Sequence, residues 1–156
     1  MLVSDLTETR AASLYHGCGL GGALQIIARN TLEDRTQHEL APGSEPVTGT
    51  SLSRSLRVAW GFGDVVFEFD QTRLRQRFRL IPVDYWHRAL EPDLTGVGRR
   101  RGKYAEAEEF LIGPLTNVMR YVTAIHMTPQ RLAWAMKYHQ EQSQPLLTHP
   151  LLKVIE

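Results

Sequence analysis

Short apolar runs, separated by glycines, prolines and charged residues, dominate the pattern of this chain. Val65 to Phe69 is the clearest run, and Tyr121 to Met127 is a second; both are typical of buried strands. Leu20 to Arg29 places its apolar residues at helical spacing and predicts an amphipathic helix. Ser13 to His16 predicts a short strand before it, ended by the turn at 17–19.

The remaining elements follow from capping and turn signals. Asp70 predicts the N-cap of a helix that runs through Arg77, and Thr128 with Pro129 predicts the start of another helix. This last helix is expected to run to about Gln142, with its buried face formed by Leu132, Ala133 and Met136. The other expected segments are a long loop over Thr31–Thr48, strands at Gly49–Arg54 and Phe78–Val83, a helical turn at Ser55–Trp60, and a tail from Pro145 with a strand at Leu151–Ile155.

The predicted strands cluster in the middle of the chain rather than alternating regularly with helices. An α+β fold therefore fits better than a doubly wound parallel sheet. A length of 156 residues suits a single domain, spanning residues 1–156, with its own hydrophobic core.

Composition narrows the class of protein without identifying a partner. The chain is 42% hydrophobic and 22% charged, with a formal net charge of +1, which is ordinary for a soluble globular protein. Cys18 is the only cysteine, so no internal disulfide is possible. Met1 to Ala12 has no apolar signal region, and no apolar run approaches the length of a membrane span. We therefore expect a cytoplasmic protein without a membrane partner.

An acidic stretch stands directly before a predicted strand. Glu106, Glu108 and Glu109 lead into Phe110–Ile112, and the basic run Arg99–Lys103 lies just upstream. Crowded like charges are costly to bury, so a strand that only fills a core would not usually begin with them. One of these glutamates is expected to enter a cleft. The alternative is a solvated acidic segment whose charge the neighbouring arginines balance.

Two other segments carry candidate ligand-binding groups. His16 and Gly17 stand at a predicted strand end, where a glycine lets the backbone approach a bound molecule closely. Ser51 and Ser53 lie on one face of the strand at Gly49–Arg54, beside Arg54, and hydroxyls with a guanidinium suit a ribose and a phosphate. A backbone-bonded histidine and a polar edge strand are the structural alternatives. The glycines at 17–22 form neither a dinucleotide fingerprint nor a P-loop.

Together, the segments Leu14-Tyr15-His16-Gly17, Gly49-Thr50-Ser51-Leu52-Ser53-Arg54 and Glu108-Glu109-Phe110-Leu111 resemble the ADP-ribosyltransferase superfamily. The Ala107–Leu111 segment is most similar to DarT-type toxins, which ADP-ribosylate DNA bases. The resemblance implies a split antiparallel β core around a cleft that holds NAD as co-substrate.

The resemblance also implies roles for individual residues. Gly17 would bind the nicotinamide amide through its backbone, and His16 would hold the adenosine ribose. Ser51 and Ser53 would brace the nicotinamide side of the cleft, and Tyr15 is a further expected NAD-binding residue. Arg54 would act in the catalytic site by contacting phosphate or target, and Glu109 matches the catalytic glutamate best. The loop bearing Arg99, Arg100, Arg101 and Lys103 corresponds to the target-binding loop.

The expected reaction requires a carboxylate but no metal ion. Breaking the nicotinamide glycosidic bond gives an oxocarbenium-like ribose, which a nearby anion stabilises more in the transition state than in the ground state.

Strand alternation places Glu106 and Glu108 on one face and Glu109 on the other, so only one register can be right. Glu108 is therefore the rival of Glu109.

The expected acceptor is a macromolecule, with DNA or RNA preferred to protein because the loop at 99–103 is basic. An inhibitor or antitoxin protein is an expected partner if the protein acts as a toxin. Other interpretations stay open: an RNA 2′-phosphotransferase, a NAD glycohydrolase, a catalytically inactive NAD- or nucleic-acid-binding module, and a structural protein without a nucleotide.

Overall fold

The structure, a computed structural model, describes residues 12–40, 43–83 and 108–155. These residues form ten strands, five α-helices and two short 3-10 helices. The strands are β1 (Ser13–Cys18), β2 (Thr31–Leu32), β3 (Thr36–His38), β4 (Val47–Ser53), β5 (Val65–Asp70), β6 (Leu80–Val83), β7 (Glu108–Ile112), β8 (Leu115–Thr116), β9 (Val122–Met127) and β10 (Leu152–Val154). The α-helices are α1 (Leu20–Arg29), α2 (Leu56–Ala59), α3 (Gln71–Arg77), α4 (Pro129–Tyr138) and α5 (Gln140–Leu147), and the 3-10 helices are Trp60–Phe62 and Val118–Arg120.

One mostly antiparallel sheet contains eight of these strands. Its order is β10-β9-β5-β1-β4-β7-β6, and β3 also pairs with β4. Only the pairing of β10 with β9 is parallel among the described strands, and β2 pairs with β8 in a separate ribbon. This mixed architecture is consistent with the predicted α+β class.

Side-chain alternation gives this sheet one apolar face. Leu14, Leu52, Phe67, Leu111 and Ile125 come from five adjacent strands and are all at most 2% exposed. Helices α1 and α5 cover this face and contribute buried apolar side chains of their own. We call it the core face, and the opposite side of the sheet the outer face. No helix in the described segments is long and apolar enough to cross a membrane.

Local sequence signals set several element boundaries as expected. The carboxylate of Asp70 accepts a hydrogen bond from the Arg73 amide at 3.0 Å and begins α3. The Thr128 hydroxyl accepts one from the Arg131 amide at 3.2 Å, with Pro129 at the start of α4. Gly113 adopts a positive φ of 83° at the turn after β7. These predictions are confirmed. Each depends on neighbouring residues alone, so the local sequence was enough to make it.

The predicted loop over Thr31–Thr48 was wrong in part. It contains β2 and β3, and β4 begins at Val47 rather than Gly49. Strand β1 likewise extends two residues beyond His16, because all of Ser13–Cys18 pairs with β5. These short polar strands are stabilised by partners far along the chain, so local pattern gives little sign of them.

The C-terminal helix was also predicted too long, and of its predicted buried face Leu132 packs against the core whereas Ala133 and Met136 are exposed. The chain breaks at His139, whose φ of −140° and ψ of 32° are not helical, and α5 then includes Pro145. Ala135 is the buried residue of α4, whereas Met136 is 53% exposed. The predicted final strand is present as β10, and β6, which contains Pro82, lies at the edge of the sheet order as expected.

The sheet is joined weakly at one position, which we call the seam. Every residue of β1 pairs with β5, but in the described residues only Tyr15 pairs with β4, opposite Ser53. Strand β7 occupies the other edge of β4. At the opposite end of β4, from Val47 to Gly49, β3 takes the place of β1. The residues at 50–52 lie between these two partners, where the sheet divides.

Candidate functional site

The three segments singled out in the sequence lie on adjacent strands around the seam. His16 and Gly17 are in β1, Ser51 and Ser53 in β4, and Glu108 and Glu109 in β7, and the sheet order places β4 between the other two. These residues are far apart along the chain. The fold therefore brings together the polar groups of a candidate ligand site.

His16 bridges the seam. Its Nδ1 lies 3.4 Å from the backbone carbonyl oxygen of Ser51. Because a carbonyl only accepts, Nδ1 carries the proton and Nε2 of the neutral ring is left as an acceptor. Burial lowers the pKa of His16 below 6.5, and the hydrogen bond to Ser51 opposes that shift. The histidine is therefore neutral near pH 7, and its Nδ1 is hydrogen-bonded within the sheet.

Gly17 is required by packing against α2. A Cβ at this position would lie 1.8 Å from the carbonyl oxygen of Ala59, a distance that no side chain tolerates. Ser55 begins α2 by accepting a hydrogen bond from the Val58 amide at 3.3 Å, which holds the helix at this place. The missing side chain of Gly17 thus allows close contact with the backbone of α2. This requirement for glycine is independent of any bound molecule.

Strand register separates the two adjacent glutamates. Glu108 lies opposite Ser53 and Glu109 opposite Leu52, and directly opposed residues of an antiparallel pair share a face. Glu108 therefore shares the outer face with Ser51 and Ser53. Glu109 shares the core face with Leu52. The predicted alternation of Ser51 and Ser53 against Leu52 is present in this register.

Glu108 is held by two side chains from other strands. Its Oε1 accepts a hydrogen bond from the Ser51 hydroxyl at 2.8 Å and contacts Nε2 of His38 at 2.9 Å. The His38 ring in turn stands edge-on to Phe110, with ring centroids 4.8 Å apart. The second oxygen, Oε2, accepts no hydrogen bond from another described residue, and 14% of the side chain is exposed. The carboxylate is thus fixed in orientation, with one oxygen available.

Glu109 has a different environment. Its side chain is 0% exposed, and its Oε1 lies 4.0 Å from Nη1 of Arg54, which is itself only 9% exposed. Arg54 follows β4 directly, so the guanidinium and the carboxylate come from neighbouring strands. The two predicted catalytic residues are therefore brought together, as a buried pair of opposite charges.

The other predicted cofactor-binding residues have local partners. The Ser53 hydroxyl donates to the Ser55 carbonyl and accepts from the Ser55 amide, both at 3.0 Å, which shapes the start of α2. Tyr15 lies on the outer face beside Glu68, its partner in β5. Burial, and secondly the charge of Glu68, raise the pKa of Tyr15 above 10.0. The phenol therefore stays protonated and can donate a hydrogen bond.

Several predicted features lie outside the described residues. These are the target-binding residues Arg99, Arg100, Arg101 and Lys103, and also Glu106. Within the segments that the structure describes, no group of three or more histidine, cysteine, aspartate or glutamate side chains is arranged to hold a metal ion. The site is therefore built from Ser51, His38, Glu108, His16 and the Arg54–Glu109 pair.

His38 is the site residue that sequence reasoning missed. It lies in β3, a strand of only three polar residues inside a segment predicted to be a loop. Its place beside Glu108 depends on pairing between β3 and β4 and on the contact with Phe110. The only signal in the sequence was a histidine within a long polar segment, which does not distinguish it from a surface residue.

Comparisons with protein-family models, with curated proteins and with solved structures find no match to this chain.

Proposed function

We propose that this protein is a NAD-dependent ADP-ribosyltransferase of the split antiparallel type, which cleaves the nicotinamide glycosidic bond and transfers ADP-ribose to a nucleic acid. One observation carries the proposal. The three segments that resemble the superfamily lie side by side on β1, β4 and β7, at the seam where the sheet divides. A cleft between two partly separated sheet halves is what a folded NAD molecule needs.

The contacts favour Glu108 as the carboxylate that faces the NAD ribose. Ser51 and His38 fix its orientation, and Oε2 is left to accept hydrogen bonds from ribose hydroxyls. Such a preorganised anion stabilises the developing oxocarbenium charge without having to reorient during the reaction. It is also placed to take a proton from the attacking group of the acceptor.

Glu109 is the second candidate, supported by the resemblance and by its pairing with Arg54. His16 lies two residues after Leu14 in β1 and shares its core face, so it lies on the same side of the sheet as Glu109. In that register, however, NAD binding must expose a side chain that is fully buried in the free protein. The Arg54 guanidinium would then bind a phosphate of NAD and release the carboxylate. This alternative requires a rearrangement that the Glu108 register does not.

His16 supports a ribose contact in the Glu109 register, since both residues lie on the core face. Its Nδ1 is engaged with Ser51, which leaves Nε2 to accept a hydrogen bond from a hydroxyl. Tyr15, protonated across the physiological pH range, is a hydrogen-bond donor on the outer face of the same strand. The backbone of Gly17 is the proposed contact to the nicotinamide amide.

Matched Glu108→Gln and Glu109→Gln variants test the proposal, because each removes one charge and keeps the side-chain shape. Nicotinamide release from NAD and transfer of labelled ADP-ribose to DNA and RNA are measured together with thermal unfolding. We expect Glu108→Gln to lower turnover by about 10²- to 10³-fold while the protein remains folded. Glu109→Gln is expected to retain most turnover in whatever fraction stays folded.

The same experiment separates the alternatives. Loss of turnover in a folded Glu109→Gln protein, with Glu108→Gln active, would assign catalysis to Glu109. Nicotinamide release without any labelled acceptor would indicate a NAD glycohydrolase. A wild-type protein that does not bind NAD by calorimetry would disprove the proposed function.

A further inference from the structure

A cavity of about 320 Å³ lies beside helix α3, and none of the candidate-site residues lines it. It is lined by Arg73, Gln76, Arg77, Arg120 and Tyr121. Its rim consists of exposed side chains, whereas Tyr121 at its base is 5% exposed. Three arginines from two separate segments thus converge on one concave surface.

Charge in this cavity is poorly balanced. Among the described residues, the carboxylate close to the arginines is that of Asp70, whose Oδ2 lies 3.8 Å from Nε of Arg73. Arg73 also donates a hydrogen bond from Nη1 to the Arg120 carbonyl at 3.4 Å. Within the same part of the chain, neither Arg77 nor Arg120 forms an ion pair. The cavity therefore carries an excess of positive charge that an anionic ligand would neutralise.

We propose that this arginine cavity binds backbone phosphates of the nucleic-acid acceptor, an inference that rests on the proposed function. Guanidinium groups form bidentate hydrogen bonds with phosphate oxygens. An open rim suits a strand that continues past the cavity on both sides, whereas a small free anion is usually enclosed. The arginines contact phosphates only, so binding is expected to show little dependence on base sequence.

The cavity is also close enough to the seam to position a strand there. Helix α3 begins after Asp70, which pairs with Ser13 in β1. Tyr15, the seam residue, is two positions further along β1, or about 7 Å. Ser53 opposite Tyr15 pairs in turn with Glu108. Three inter-strand spacings of about 4.8 Å separate β5 from β7, so a strand whose phosphates bind at the cavity would present to the carboxylate a nucleotide several positions away.

The test compares an Arg77→Gln/Arg120→Gln variant with an Arg29→Gln/Arg35→Gln control. Both variants remove two positive charges from exposed positions, but Arg29 and Arg35 are paired with Glu33. Binding of a labelled single-stranded DNA and RNA of mixed sequence is followed by fluorescence anisotropy over a range of salt concentrations. We expect the cavity variant to bind about tenfold more weakly at low salt, with a salt slope that decreases by about 0.7 for each phosphate that it no longer neutralises. The control is expected to change affinity less than twofold.

Further measurements distinguish nucleic-acid binding at the cavity from the alternatives. Equal weakening in both variants would show a general charge effect and overturn the proposal. A polyglutamate peptide that competes as well as the oligonucleotide would also overturn it, in favour of an acidic protein partner. Inorganic phosphate that saturates the cavity at micromolar concentration would overturn it in favour of a small-anion site. Nicotinamide release without acceptor should be unchanged in the cavity variant, so failure of the cavity proposal is distinguishable from failure of the proposed function.

Discussion

Glu108 and Glu109 are consecutive residues in nearly opposite environments. Glu108 lies on the outer face, hydrogen-bonded to Ser51 and His38, with one oxygen available. Glu109 lies on the core face, fully buried beside Arg54. This difference shows that two consecutive carboxylates in a strand cannot replace each other in a site, because alternation places their side chains on opposite sides of the sheet.

The two glutamates also have different energetic requirements. A buried carboxylate depends on its cation, since removal of one partner leaves an uncompensated charge in a poorly polarisable environment. A partly exposed carboxylate depends on orientation more than on neutralisation, because water still solvates it. We therefore expect substitutions around Glu109 to change stability, and those around Glu108 to change activity.

The largest effect is expected from Arg54→Met, which removes the cation and keeps a long side chain. The free energy of unfolding should fall by about 3–5 kcal/mol because Glu109 stays buried without the neighbouring Arg54 guanidinium. Urea denaturation measures this change. Adding Glu109→Leu to the same protein should recover much of the loss; a double variant as unstable as Arg54→Met would contradict the charge-pair explanation.

A smaller effect is expected from Ser51→Ala on the other face. The variant loses one hydrogen bond to a partly exposed carboxylate, so the free energy of unfolding should fall by only about 1 kcal/mol. A double-mutant cycle with Glu108→Ala, which removes the acceptor, isolates the contribution of this pair. Strictly additive effects of the two substitutions would show that the Ser51–Glu108 hydrogen bond contributes nothing.

The smallest effect concerns pH and His16. Since burial lowers the pKa of His16 in the folded protein, the unfolded chain binds the proton more tightly. Its contribution to stability is therefore complete above about pH 6.5 and decreases as the pH falls below that value. Unfolding curves at several pH values should show a weaker acid dependence in His16→Asn. An unchanged slope between about pH 6.5 and 5 would contradict this role.

Much of the fold was predictable where the determining signals are local. The strand at Val65 needed only its apolar run, and α3 and α4 needed only Asp70 and Thr128 as caps. Strands β2 and β3 were not predictable, because they are short and polar and exist only through pairing with distant strands. The break at His139 was missed for a similar reason: no proline or glycine marks it.

The candidate site was predictable at the level of segments rather than of side chains. The sequence indicated that residues near His16, Ser51 and Glu108–Glu109 belong together, and the sheet order places them on neighbouring strands. It did not indicate which glutamate meets Ser51, because that depends on the register of β4 against β7. Nor did it identify His38, whose contact with Glu108 spans β4.

The seam between β1 and β4 has a mechanical consequence. On one side of it β10, β9, β5 and β1 form a continuous ribbon, and on the other β4, β7 and β6 form a second ribbon. Among the residues that the structure describes, one backbone rung, Tyr15 with Ser53, and the hydrogen bond from His16 Nδ1 to the Ser51 carbonyl link their strands. Twisting the ribbons against each other breaks few hydrogen bonds at this rung, whereas bending either ribbon breaks many. Slow opening motions of the sheet should therefore occur mainly at the seam. Amide hydrogen exchange should be faster at Ser51–Ser53 than along β5.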